Sequence, residues 1–256
     1  MPRLEVHQIP VLVDNYVYLA RDADTGACAA VDPAVAGPVL AALDRLGWSL
    51  TMILNTHHHH DHIGGNLDLK SATGCTIVGN RADAHRIPGL DVGIGEGDEV
   101  AVGRSKATVL EISGHTVGHI AYWFEEARTL FCGDTLFALG CGRLFEGTAA
   151  QMWSSLEKLR ALPDDTLVYC AHEYTQNNAA FALTVEPDND ALSARAAKVR
   201  ALRAAGRPTV PSTMAEERAT NPFLRADAED LKRGAGLVGR DDVAVFAEIR
   251  RRKDAF

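Results

Sequence analysis

The sequence predicts an α/β fold, a layered sandwich of strands and helices over residues 1–171 followed by a mostly helical unit over 172–256. Three observations carry this. Short β-branched and apolar runs bounded by Gly, Asp or Asn turns fill the first two thirds of the chain. Helical stretches fall between those runs, as they do in layered α/β domains. After His172 the composition changes to Ala, Leu, Arg and Glu with helical spacing. With 256 residues, 46% of them hydrophobic and 23% charged, the chain can bury a core of its own.

Strands are expected at 4–9, 15–20, 27–32, 51–55, 76–79, 106–111, 121–124, 129–132 and 167–170. Helices are expected at 38–46 and 149–162, the second opened by Thr148-Ala-Ala-Gln151. In that capping box the Thr hydroxyl and the Gln side chain satisfy free backbone groups at the helix start. The carboxy-terminal unit reads as helices at 173–185, 189–205 and 241–253, separated by proline-containing stretches such as 207–213.

Lys plus Arg number 26 against 34 Asp plus Glu, a net charge of −8, so the protein repels polyanions and nucleic acid is not an expected partner. No stretch approaches the roughly 18 uncharged apolar residues of a membrane span, and the opening MPRLEVHQIP has no apolar signal region. The five cysteines are an odd number without a CxxC pair, which fits buried thiols in a reducing compartment better than a disulfide framework. A soluble, unexported protein in a reducing cytoplasm is the expectation.

The chemistry is concentrated in 53–65, where an apolar strand runs into His57-His58-His59-His60-Asp61-His62 and two glycines. Imidazole and carboxylate suit zinc, iron or manganese. On a loop leaving a strand, His57 and His59 point together while Asp61 and His62 turn to a second point. A fortuitous surface His tract is disfavoured because further candidate ligands also follow predicted strands. They are His115 in SGHTVGH, Asp134 in FCGDT and His172 in VYCAHE. Seven ligands on four loops suggest two metals.

HxHxDH, GHTxGH, GDT and a His after a strand resemble the metallo-β-lactamase superfamily. The segments 133–152, 168–187, 207–225 and the closing RRRKDAF are similar to glyoxalase II, the hydroxyacylglutathione hydrolases, nearly end to end. The resemblance implies an αββα sandwich with a helical glutathione-binding C-terminal domain. It implies that His57, His59 and His115 bind one metal and Asp61, His62 and His172 a second, with Asp134 and a hydroxide bridging them. Zinc is the expected metal, with iron or manganese as substitutes. His58 and His60 fall between ligand positions; His58 is expected to turn inward, Asp32 to lie beneath the loops, and His119 to be a hydrogen-bonded structural histidine.

The implied reaction is metal-dependent hydrolysis of S-D-lactoylglutathione to D-lactate and glutathione, the second step of methylglyoxal detoxification, with Asp61 and Asp134 orienting the nucleophile and taking up its proton. Arg250 and Lys253, three apart on a helix, match the family's glutathione-binding pair. Arg143 and Phe145 stand where the family often has Lys and Tyr, and Tyr174 and Asn178 follow His172. Phe145 lacks the phenol oxygen that would hold the glutathione backbone, a loss of about 1 kcal/mol. The alternative reading is a glutathione persulfide dioxygenase of the same superfamily, with one iron on His57, His115 and Asp134. The helical C-terminal unit argues against it.

Overall fold

The computed structural model describes residues 4–256, so the first three residues of the amino-terminal stretch lie outside it. The chain divides into two compact units, Met1–Glu111 with Gly118–Gly133, and Ile112–Val117 with Asp134–Phe256.

In the first unit, β1 (Leu4–Val11) and β2 (Asn15–Asp22) form a hairpin whose register runs from Leu4↔Asp22 to Val11↔Asn15. β3 (Ala27–Val31) joins β2 antiparallel. After α1 (Ala36–Leu46) the chain re-enters the sheet as β4 (Ser49–Leu54), parallel to β3 with Val31 opposite Leu54. That parallel pairing brings the ends of β3 and β4 to one edge, where ligand-carrying loops of α/β sheets emerge. The loop after β4 holds α2 (His60–Ile63) and α3 (Asn66–Thr73), and β5 (Thr76–Asn80) and β6 (Val92–Ile94) extend the parallel part. A second run of strands is antiparallel throughout: β7 (Glu99–Val102), β8 (Ser105–Glu111), β9 (Ile120–Phe124) and β10 (Thr129–Gly133).

The period-2 alternation of β2 explains the layering of this unit. Val17 and Leu19 join a core with Val39 and Leu43 of α1 and Leu69 of α3, whereas Tyr18 faces Phe131 of β10 with ring centroids 5.5 Å apart. β2 is buried on both sides, so it reads as an apolar run without clean alternation of polar residues. α1 starts two residues before the expected Pro38, since proline in a first turn loses no hydrogen bond, and it stops at Gly47, whose φ of 66° is left-handed. α3, β6 and β7 were not expected; α3 buries only Asn66 and Leu69, too few for an apolar stripe.

The second unit opens with a two-residue ladder, β11 (Leu136–Phe137) against β12 (Gly140–Cys141). α4 (Ala149–Arg160) has both bonds of the Thr148/Gln151 capping box and ends short of the expected 162, where Pro163 disfavours helical backbone before it. β13 (Leu167–Cys170), α5 (Thr175–Val185) and α6 (Asp190–Ala204) follow. The stretch 207–213 is more than a spacer: β14 (Ser212–Thr213) pairs antiparallel with β13. α7 (Met214–Thr220) and α8 (Glu229–Ala235), each one or two turns long, were also not expected, and α9 (Asp242–Asp254) closes the chain. Beneath them Glu217, wholly buried, accepts the Leu139 N–H at 2.9 Å and the Asn221 amide at 3.0 Å and pairs with Arg195.

All five cysteines are buried thiols. Burial pushes Cys28 and Cys170 up to about 12 and Cys141 up to about 11. Among the described residues no helix is long and apolar enough to cross a membrane.

Candidate metal centre

The first unit places its candidate ligands on the loop that leaves β4. Asn55 and Asn66 clamp the loop's two ends: the Asn66 amide donates to Asn55 Oδ1 at 2.7 Å, and the Asn55 amide donates to the His62 carbonyl at 3.1 Å. Asp32, just past β3, accepts the Thr56 N–H at 2.8 Å on Oδ1. Its Oδ2 accepts the Thr56 hydroxyl at 2.7 Å and His62 Nδ1 at 3.1 Å. Since Nδ1 of His62 then carries the proton, the ligating lone pair is on Nε2.

His57, fully buried, puts Nε2 3.1 Å from His59 Nδ1, and its ring stacks on His119 at 4.5 Å. Asp61 Oδ2 lies 3.6 Å from His62 Nε2. His57 thus meets His59 and Asp61 meets His62, but the His57 and His62 ring centroids also lie 4.0 Å apart, so the tract is one continuous cluster and not two separate pairs. His58 turns away and meets Asp83 Oδ2 at 3.2 Å, while His60 stays exposed. His119 Nδ1 meets the Ile120 carbonyl at 3.1 Å, consistent with a structural role. Gly133, at φ 48°, has to be glycine: a Cβ there would run into the Thr56 hydroxyl and the His119 ring.

The second unit gathers its own set around Asp134. His115 and His172 direct Nε2 at Asp134 Oδ2, at 3.5 and 3.4 Å. Nδ1 of His115 donates to the Arg143 carbonyl at 2.8 Å, which again leaves Nε2 as the ligand nitrogen. His172 stacks on Tyr174 with centroids 4.7 Å apart and planes 2° from parallel. Two imidazole nitrogens converging on one carboxylate oxygen, and two more on each other, are donor sets that fit divalent first-row metals.

The residues expected to bind substrate occupy varied settings in this unit. Phe145 is 63% exposed with its ring 5.1 Å from His115, and Arg143 is exposed, with Nε 3.9 Å from Asp254. Asn178 is buried and donates to the Ala138 carbonyl at 3.1 Å. Arg250 is also buried, bonded to the Cys141 carbonyl at 2.8 Å and to Asp254 at 2.9 Å. Lys253 is half-buried between Phe181 and Phe256 and bonded to Asn177. Desolvation, with the nearby Arg250 and Arg143 cations, lowers it to about 8.

Sequence reasoning missed Asn15, Asn55, Asn66, Asp83 and Glu173. The last accepts the Thr209 N–H at 2.9 Å and the Thr209 hydroxyl at 2.6 Å directly after His172. Only the asparagines flanking the His tract gave any local signal.

Residues 12–172 match the family model of the metallo-beta-lactamase superfamily, and residues 173–256 that of the hydroxyacylglutathione hydrolase C-terminus. The fold is accordingly that of the metallo-β-lactamases with a helical C-terminal region. Proteins named hydroxyacylglutathione hydrolase from Rhodospirillum rubrum and Methylococcus capsulatus are 61% and 63% identical, covering 100% and 99% of each chain. Among solved structures, ETHE1 from Myxococcus xanthus is 28% identical with a TM-score of 0.68, covering 98% of each chain.

Proposed function

Because the chain belongs to the hydroxyacylglutathione hydrolase family within the metallo-β-lactamase superfamily, we propose that its seven candidate ligands hold two metal ions for thioester hydrolysis. The protein is a metal-dependent thioesterase that cleaves S-(2-hydroxyacyl)glutathione, with S-D-lactoylglutathione giving D-lactate and glutathione. Full-length identity above 60% to two proteins of that name is the observation that carries the activity. The donor sets around His57 and Asp134 support the cofactor as divalent metal, zinc first and iron or manganese through the same donors.

In this reading His57, His59 and His115 would hold one ion and Asp61, His62 and His172 the other, with Asp134 as a ligand common to both. When bound, the ions supply a hydroxide at neutral pH and an electrophilic contact for the thioester carbonyl. Asp61 and Asp134 orient the attacking oxygen and take up its proton. Addition of that oxygen to the carbonyl carbon would break the C–S bond and release the glutathione sulfur as thiolate. Asp32 and the Arg143 carbonyl keep His62 and His115 in the tautomers that present Nε2.

Glutathione carries two carboxylates, which fixed cations can anchor. We assign this to residues 172–256, with Arg250 and Lys253 as the cationic pair, aided by Arg143, Phe145, Tyr174 and Asn178; residues 1–171 are assigned the catalytic domain. Arg250 is buried against the Cys141 carbonyl and Asp254, and Asn178 against the Ala138 carbonyl, so of the cationic pair Lys253 is the member that reaches the surface. A net charge of −8 argues against nucleic acid or an anionic membrane as partner, and five buried thiols fit the cytoplasm; a monomeric state is part of the same proposal.

The test is thiol release from S-D-lactoylglutathione by protein as purified, after chelation and after reconstitution, with an oxygen electrode on glutathione persulfide in parallel. Metal-dependent thiol release without oxygen uptake is expected. Oxygen uptake without hydrolysis would refute the assignment.

A further inference from the structure

Asp61 sits in α2, a helix of only four residues, and its side chain is 41% exposed. Packing alone does not fix a carboxylate in that setting. One hold on it comes from 46 residues away. The side-chain amide of Asn15 donates to Asp61 Oδ2 at 3.0 Å and to the Asp61 carbonyl at 3.3 Å. An Asn at the end of a tight turn ordinarily bonds to the backbone of its own turn. Here both acceptors of its amide nitrogen belong to Asp61.

Asn15 is well placed to impose a geometry. It opens β2 opposite Val11 in the hairpin register, is 6% exposed, and follows a turn in which Leu12 has a φ of 52°. The main-chain bond fixes the Asp61 backbone and the side-chain bond its carboxylate torsion. A neutral amide donor does this without the full charge that Lys or Arg would set against a cation at the same carboxylate.

We propose that Asn15 is the positioning residue for Asp61, holding its carboxylate in the orientation that binds metal. The proposal rests on Asp61 being a ligand. It predicts a role for the β1–β2 hairpin in metal retention, although no ligand lies on that hairpin.

The test compares wild type, Asn15→Leu, which keeps side-chain volume but no donor, and Asp61→Ala. Zinc retained against a competing chelator is measured, with the visible spectrum of the cobalt-substituted protein and the urea midpoint of the metal-free protein. Asn15→Leu is expected to hold one of its two ions about 10-fold or more weakly. Its cobalt bands should shift, kcat should fall and KM should change less than twofold. If it does not fold, Asn15→Ala takes its place. Wild-type zinc retention and cobalt spectrum in the Asn15 variant, while Asp61→Ala loses zinc, overturns the proposal alone. Wild-type retention of both ions by Asp61→Ala overturns the ligand reading first, and this one with it.

Discussion

Replacing Asp32 by Asn is a small change in shape with a large expected consequence for metal binding. The Asp32 carboxylate takes three bonds: the Thr56 N–H at 2.8 Å on Oδ1, and the Thr56 hydroxyl at 2.7 Å and His62 Nδ1 at 3.1 Å on Oδ2. In Asp32→Asn the carbonyl oxygen keeps the Thr56 N–H, and the amide nitrogen takes the place of Oδ2. The Thr56 hydroxyl can rotate and accept. His62 Nδ1 can face an N–H only as an acceptor, so its proton moves to Nε2 and the ligand lone pair is lost. The fold loses roughly one charge-assisted hydrogen bond, about 1.5–3 kcal/mol, which a domain of this size tolerates. Metal affinity should fall about 10–100-fold, the usual cost of removing a group that orients a ligating His. Chelator competition reads the affinity, and urea unfolding of the metal-free protein reads the stability. Asp32→Ala should be worse on both counts, since it strands a buried N–H and puts Ala at a φ of 49°. Unchanged zinc affinity in a folded Asp32→Asn protein would refute the tautomer argument.

Four further outcomes follow from the same geometry. Asp134→Ala removes the oxygen on which His115 and His172 converge, so bound metal and turnover should fall together; full activity with unchanged metal content would contradict the bridging assignment. Phe145→Tyr supplies a phenol on an exposed ring, worth about 1 kcal/mol or several-fold in KM with kcat little changed, checked by steady-state kinetics. Lys253 is lowered to about 8, so its cation is present below that pH and lost above it. KM for the glutathione thioester should therefore climb as pH rises through 8, and a Lys253→Met variant should show a high KM with that limb absent. Glu217→Ala leaves Arg195 buried without its carboxylate and should cost about 3–5 kcal/mol in urea unfolding.

What the sequence made legible was local. The His tract follows a strand, and a loop leaving a strand aims alternate side chains apart, so the pairing of His57 with His59 and of Asp61 with His62 could be anticipated. Most strands of the first unit were found within a few residues where β-branched runs met turn residues, but β7, four residues between Gly97-Asp98 and Gly103, was missed. β6 and β14 escaped because three- and two-residue strands carry no periodicity, and α3 because it shows almost no apolar face. Long-range polar bonds were invisible for a different reason. Nothing near Asn15 or Asp83 in sequence announces Asp61 or His58, since those contacts exist only once the sheet has formed. For Arg250 and Lys253 the shared helix face was readable from their spacing. The burial of Arg250 against the Cys141 carbonyl was not, because Arg in a polar helix ordinarily reads as solvated.

The reaction releases a thiol, and three of the protein's own thiols are built not to answer it. With Cys28 and Cys170 raised to about 12 and Cys141 to about 11, the thiolate fraction at neutral pH is on the order of 10⁻⁴ or less. Thiolate is the species that exchanges with disulfides or adds to electrophiles, so these cysteines should be nearly inert to oxidised glutathione and to reactive dicarbonyls. A practical corollary is that a disulfide reagent added to the folded protein should report the glutathione set free well ahead of any reaction at Cys28, Cys141 or Cys170. The catalyst can work in a pool of its own nucleophilic product without being drawn into the pool's redox traffic.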